Sequence, residues 1–162
     1  MFIRLLYGKF GKLVNFCFNI LNVVLVGNLP PLGSVRIIIE EQNRYLVIEQ
    51  GKVNVVFPGG FMRWYEIPTQ TVLREGREET GLRLKVDKTI GCYSEISTSF
   101  ARMSTLTIAY SATVVDGELR SSIEGRPCWQ GEAEVRNNLI PQQKAMFDDY
   151  LLYRKQLDTS CF

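Results

Sequence analysis

The chain contains no histidine. That excludes a histidine-based triad, a histidine zinc site and a histidine general base. Its four cysteines, at positions 17, 92, 128 and 161, form no C-x-x-C pair. Such thiols read as small buried or incidental side chains, not as a disulfide framework. They suit a reducing, cytoplasmic setting. Net charge is only +2, so charge alone implies no polyanion-binding surface, and no nucleic-acid partner is expected. Repeats and low-complexity segments are lacking. The chain has 162 residues, 46% of them hydrophobic, enough for one domain with a real core.

The stretch from Gly60 to Leu82, GFMRWYEIPTQTVLREGREETGL, organises the rest. Before it, Phe57-Pro58-Gly59-Gly60 ends an apolar strand in a glycine turn. Pro68 and Thr69 predict a helix start, proline as a first helical residue and threonine as a cap. Val72 and Leu73 give that helix an apolar side, and Gly81 stands where a C-terminal glycine is expected. Glu75, Glu78 and Glu79 are spaced i, i+3, i+4 and so share one helical face. Three carboxylates together repel one another. A hard divalent cation such as Mg²⁺ requires that concentration of oxygen.

The spacing resembles the Nudix box, G-x5-E-x7-R-E-U-x-E-E-x-G-U, where U is a bulky aliphatic residue. Every fixed position matches; Gly76 departs at the first U. That departure removes a side chain from the helix's buried side and costs roughly 1 kcal/mol of helix propensity against alanine. The resemblance implies an α+β fold, an α/β/α sandwich around a mixed sheet. It implies Mg²⁺-dependent cleavage, with Mn²⁺ as substitute, of a nucleoside diphosphate linked to another moiety, by water attack on phosphorus. Glu75 and Glu79 become the main metal ligands, Glu78 a further one, and the Gly60 carbonyl adds an oxygen. Arg74 pairs with a box carboxylate, and Glu66 closes the loop back onto the helix. The general base is a box glutamate or one from a later loop: Glu118, Glu124, Glu132 or Glu134. Glu124 ranks first, because it precedes Gly125-Arg-Pro-Cys-Trp129 in a pattern similar to the family's acidic loop followed by tryptophan. The catalytic set is thus Glu79, Glu78, Glu75, Arg74 and Glu124.

For substrate the candidates are Arg63, Trp64 and Tyr65, where an arginine and two aromatics would grip phosphate and stack a base. The alternative is that the two aromatics cover an edge of the core. Arg102 is a second phosphate candidate. The markers of the ADP-ribose, diadenosine-polyphosphate and NADH subfamilies are missing, so the substrate stays open. The competing class is a catalytically silent Nudix-fold binding or regulatory module. Such modules commonly lose box glutamates, and this chain keeps all of them.

Residues 1–30 form a separate segment ahead of a domain spanning 31–162. From Phe10 to Val26 most positions are apolar, while Lys12, Asn15, Asn19 and Asn22 make a narrow polar stripe. This predicts an amphipathic helix with a wide apolar face, too short and interrupted to span a bilayer. It packs on its own domain, on a second copy in a homodimer, or on a membrane surface through residues 10–26. A signal peptide is disfavoured because no small-x-small cleavage site follows. Amides rather than lysines in the stripe favour protein contact over the membrane. Asn28 to Gly33 reads as a linker. In the domain, strands are expected at Val35–Ile39, Tyr45–Ile48, Val53–Phe57, Leu84–Val86, Ile90–Ile96 and Thr105–Val115. Glu40 to Asn43 and Asp116-Gly117 read as turns. Residues 118–140 read as irregular. A helix opens at Pro141, with Met146, Phe147, Tyr150, Leu151 and Leu157 on its apolar face.

Overall fold

A computed structural model of the chain describes every residue except 1, 28, 52–53, 98–101 and 160–162. Its sheet grows from the β-branched runs, which fit a pleated, half-buried surface. Strand β1 (Leu32–Glu41) turns back into β2 (Arg44–Gln50). The turn is Gln42-Asn43, with φ of 50° and 59°, the left-handed pair that suits the twist of a hairpin. It is tighter than the expected Glu40–Asn43 because β1 runs on to Glu41. Strand β3 (Asn54–Val56) pairs antiparallel with β2. Helix α2 (Pro68–Thr80) follows, then β4 (Leu82–Glu95) and β5 (Thr105–Gly117), a long antiparallel pair. β5 lies parallel to β1, with Val35 opposite Ile108. The strand order is β3-β2-β1-β5-β4, and β6 (Arg126–Gly131) joins on β2.

Alternation along β1 divides the core. Val35, Ile37 and Ile39 pack with Val72 of α2 and with Leu46, Leu84 and Tyr110. Ile38 points the other way, to Tyr45, Val47 and Phe57. That second cluster holds Val135 of α3 (Glu132–Asn138) and Met146, Phe147, Tyr150 and Leu151 of α4 (Pro141–Thr159). Helices on both faces of a mixed sheet make the α/β/α sandwich.

The differences from the sequence reading have local causes. The two strand pieces around residue 88 are one strand, because three register shifts absorb the break in pattern. Residues 118–140 contain β6 and α3. β6 is six residues long and carries Pro127, and Val135 is the only buried residue of α3, so neither shows a periodicity. Leu157 is exposed, because the last turns of α4 project past the core. On β5, Tyr110 and Ala112 are buried, but Leu106 is exposed near the strand's start.

Helix α1 (Phe2–Val24) turns its amide stripe inward. Asn19 Nδ2 donates to the carbonyl of Arg102 at 2.8 Å, and Asn22 Oδ1 accepts from Leu29 N–H at 3.1 Å. The apolar face, with Leu13, Phe16, Leu21, Val23 and Val24, is exposed. No helix among the described residues is long and apolar enough to cross a membrane.

Candidate active site

The helix carrying the acidic face is fixed at both ends. Pro68 occupies the first turn, but the cap is Ile67, not Thr69; the Ile67 N–H is satisfied by Gln70 Oε1 at 3.1 Å. Gly81 closes the helix in the left-handed region, φ 80°, its N–H on the Arg77 carbonyl at 3.0 Å. Gly76 is buried, and a side chain there would run into Leu84 of β4. The glycine lets α2 lie close on the sheet.

Residues 58–60 run along the free half of β1. Ile37 N–H donates to the Pro58 carbonyl at 2.8 Å and Val35 N–H to the Gly60 carbonyl at 2.9 Å. This brings the glycines against α2. Gly59 N–H donates to Glu79 Oε2 at 2.9 Å, and a side chain at Gly60 would meet the Glu75 carboxylate. Glu75 and Glu79 are 8% and 4% exposed, so two of the three glutamates face inward. Glu78 is half exposed. The loop after β5 returns Glu124 to hydrogen-bond with Glu79. Burial, and then this second carboxyl, push the Glu79 pKa well above the usual carboxylate range. Burial also raises Glu75, with Arg74 opposing it.

Arg74 ties the loop to the helix. Its Nε and Nη2 hold Glu66 at 2.6 and 2.8 Å. Nη1 reaches Glu75 at 2.5 Å and Glu78 at 3.2 Å. Nη2 also donates to the Phe61 carbonyl at 3.0 Å. The Arg74 hydrogen bond pulls the Glu66 pKa down to about 2. Glu66 further accepts from Thr71 Oγ1 at 3.0 Å and Arg63 N–H at 3.1 Å. Arg63 extends its own guanidinium to Glu78 at 3.1 Å. Trp64 is fully exposed and Tyr65 nearly so, at 101% and 79%; they cover no core edge.

A cleft of about 620 Å³ adjoins the carboxylates at Gly60. Its walls include Ser34 and Arg36 of β1, Glu95 at the end of β4, Arg102, Gln143 of α4 and Asn15 of α1. Arg102 therefore stands in the cleft, while Arg63, Trp64 and Tyr65 lie outside its lining. Arg36 is the residue that sequence reasoning missed. Its Nη1 donates to the carbonyls of Gly59, at 2.7 Å, and Phe57, at 3.3 Å. The available signal was one charge inside the β-branched run Val35–Ile39.

Among the described residues no three acids close into a ready metal cage; Arg74 holds Glu75 and Glu78 to itself instead. The donor set is nevertheless all oxygen, with Glu79 and Glu124 crowded together. That chemistry fits a hard divalent cation.

A glycine turn, a helix with inward carboxylates and a loop glutamate make one acidic cluster next to the cleft. The NUDIX domain family model matches residues 30–150, and the chain belongs to the Nudix family. It is 33% identical over 130 residues to an ADP-ribose pyrophosphatase of Methanocaldococcus jannaschii, covering 78% of this chain and 76% of that one. A Nudix hydrolase of Nitrosomonas europaea superposes with a TM-score of 0.68 at 25% identity, covering 76% of this chain and 90% of that one. An ADP-ribose pyrophosphatase of Streptococcus suis shares the fold, with TM-score 0.63 at 14% identity over 78% and 92% of the two chains. Its enzymatic class is that of a Nudix-type pyrophosphohydrolase.

Proposed function

We propose that this enzyme hydrolyses the diphosphate linkage of a nucleoside diphosphate joined to another moiety, with Mg²⁺ as its metal and Mn²⁺ as substitute. The observation that supports this best is the meeting of Glu75, Glu79 and Glu124 beside Gly60, which itself lines the cleft. Glu75, Glu79, Glu78 and the Gly60 carbonyl would hold the metal. When bound, Mg²⁺ neutralises the diphosphate and makes water a better nucleophile.

The chain's own residues then divide the work. Arg74 holds Glu75 and Glu78 in place and touches no substrate. Glu124 accepts the proton of the attacking water, which its approach to Glu79 from a loop at the protein surface supports. Arg102 takes a phosphate oxygen in the cleft, and the exposed faces of Trp64 and Tyr65 are free to stack a base, with Arg63 beside them. ADP-ribose is the first substrate to test, since a relative of that name is 33% identical. The proposal includes a cytoplasmic location, which the free thiols of Cys17, Cys92 and Cys128 support. It also includes a homodimer, rather than a membrane contact, through the exposed apolar face of α1.

The test is a hydrolysis screen over ADP-ribose, sugar nucleotides, NADH, diadenosine polyphosphates and nucleoside triphosphates, with and without Mg²⁺. Mg²⁺-dependent release of a nucleoside monophosphate is the expected result. No turnover on any of them would return the chain to the class of silent binding modules.

A further inference from the structure

Arg36 stands where the carboxylate cluster and the cleft meet. It lines the cleft with Gly60, and its electrostatic neighbours are Glu79, Glu124 and Glu75 from the cluster and Glu95 from the cleft wall. Yet among the described residues it forms no ion pair within 4.0 Å. Its held atom is Nη1, fixed by the Gly59 and Phe57 carbonyls. Nε and Nη2 have no hydrogen-bond partner among the described residues, and neither is a buried unpartnered atom. They are not sealed off, and the space that Arg36 lines is the cleft. Burial pulls the Arg36 pKa below the ordinary arginine value, while the nearby glutamates oppose that pull; a guanidinium keeps its charge in a protein.

We infer that Arg36 binds the substrate's diphosphate, its Nε–Nη2 edge taking phosphate oxygens on the cleft side of the metal carboxylates. An arginine fork matches the geometry of phosphate. A fork already fixed by two backbone carbonyls loses little freedom when it binds. A substrate whose scissile diphosphate lies at the glutamates and whose remainder lies in the cleft must pass this point. Among the described residues, nothing anchors the guanidinium of Arg102, which is exposed at the cleft wall. The assignment rests on the hydrolase reading but extends it, placing the anchor for phosphate on β1 and outside the box.

The experiment compares wild type with Arg36→Lys and Arg36→Gln. It reads ADP-ribose hydrolysis at saturating Mg²⁺, calorimetric binding of AMP with Mg²⁺ present, the half-saturating Mg²⁺ concentration and the melting temperature. In folded variants, KM should rise and AMP affinity fall together by about ten- to a hundredfold, the range of a hydrogen bond to a charged group. The lysine variant should recover only part of the loss, because it lacks the fork. Half-saturating Mg²⁺ should stay within about twofold, since no metal ligand is removed. Unchanged KM and AMP affinity would overturn the assignment. So would a loss confined to Mg²⁺ affinity, or unfolding of both variants, either of which would make Arg36 a support of the glycine turn. If wild type leaves ADP-ribose intact, the hydrolase reading fails on that substrate while the AMP measurement still decides Arg36.

Discussion

Arg74→Ala removes the cation that three carboxylates share. In the wild type its side chain is 14% exposed, and the side chains of Glu66 and Glu75 are 9% and 10% exposed. Of the three, Glu75 is the buried one, and stripping a buried carboxylate of its cation costs ~3–5 kcal/mol. Glu78 is half exposed and needs little compensation, so the lower end, about 3 kcal/mol, applies. For a chain of this size each kcal/mol moves Tm by roughly 2–4 °C, giving a fall of about 6–12 °C. Thermal melts in metal-free buffer measure it directly. Arg74→Lys should lie between, keeping charge and losing the two-nitrogen grip on Glu66. Adding Glu66→Gln to Arg74→Ala should cost little more, because the two changes remove the same interaction. Mg²⁺ should raise Tm more in Arg74→Ala than in wild type, since a bound cation supplies the missing counter-charge for Glu75. A metal-free Arg74→Ala melting within about 2 °C of wild type would refute the reasoning; the network would then be a crowd of charges without mechanical consequence.

Glu79→Gln and Glu75→Gln should each lower kcat by about a hundredfold or more with the metal-free melt preserved; near-normal turnover in both would remove them from the site. Glu124→Gln should depress kcat while half-saturating Mg²⁺ barely moves; an unchanged rate would give the proton to a box glutamate. Stability should depend on pH in two opposite ways. Glu79 is raised from 4.5 by burial, so its contribution is full below pH 4.5 and is lost as pH rises through the elevated value. Metal-free protein should melt lower at pH 9 than at pH 6, and Mg²⁺ should narrow the gap. Glu66 is lowered from 4.5 to about 2, so its contribution is present above pH 4.5 and is lost toward pH 2; Glu66→Gln should flatten that acid limb. Removing residues 1–27 should turn a sedimenting dimer into a monomer. Flotation of the full chain with anionic vesicles, lost on truncation, would instead assign α1 to a membrane.

The fold was legible wherever one pattern ran long enough. The β-branched run of β1, the alternation of β5 and the spacing from Pro68 to Gly81 each have one physical reading. β6 and α3 were not legible, because they are short and their pairing is supplied from elsewhere. β6 is a strand because Leu46 and Val47 of β2 stand opposite Trp129 and Cys128. The acidic helix could be drawn from i, i+3, i+4 spacing alone, but spacing does not say which carboxylate turns inward. The glycine turn decides that, by donating a backbone N–H to Glu79 and leaving room for Glu75. Arg36 was hidden for a related reason. Its own sequence context says only that a strand tolerates a charge; its neighbours come from residues 57–59, α2 and a loop some ninety positions away.

Helix α1 carries the same lesson further. Periodicity identified its two faces correctly but is silent about which one meets the domain. A wide apolar face would ordinarily be the inner one. Here the inner face is the amide stripe, whose side chains bond to backbone groups at Arg102 and Leu29. The half-buried N–H of Leu29 takes Asn22 Oδ1 as its acceptor, and the carbonyl of Arg102, which Ser97 Oγ reaches at 2.6 Å, takes Asn19 Nδ2 as a second donor. Leucine and valine can make neither bond. The same contact brings Asn15 into the cleft wall and ties α1 to the backbone of Arg102. The apolar face is left outward as the consequence, so whatever covers it acts on the helix that borders the cleft.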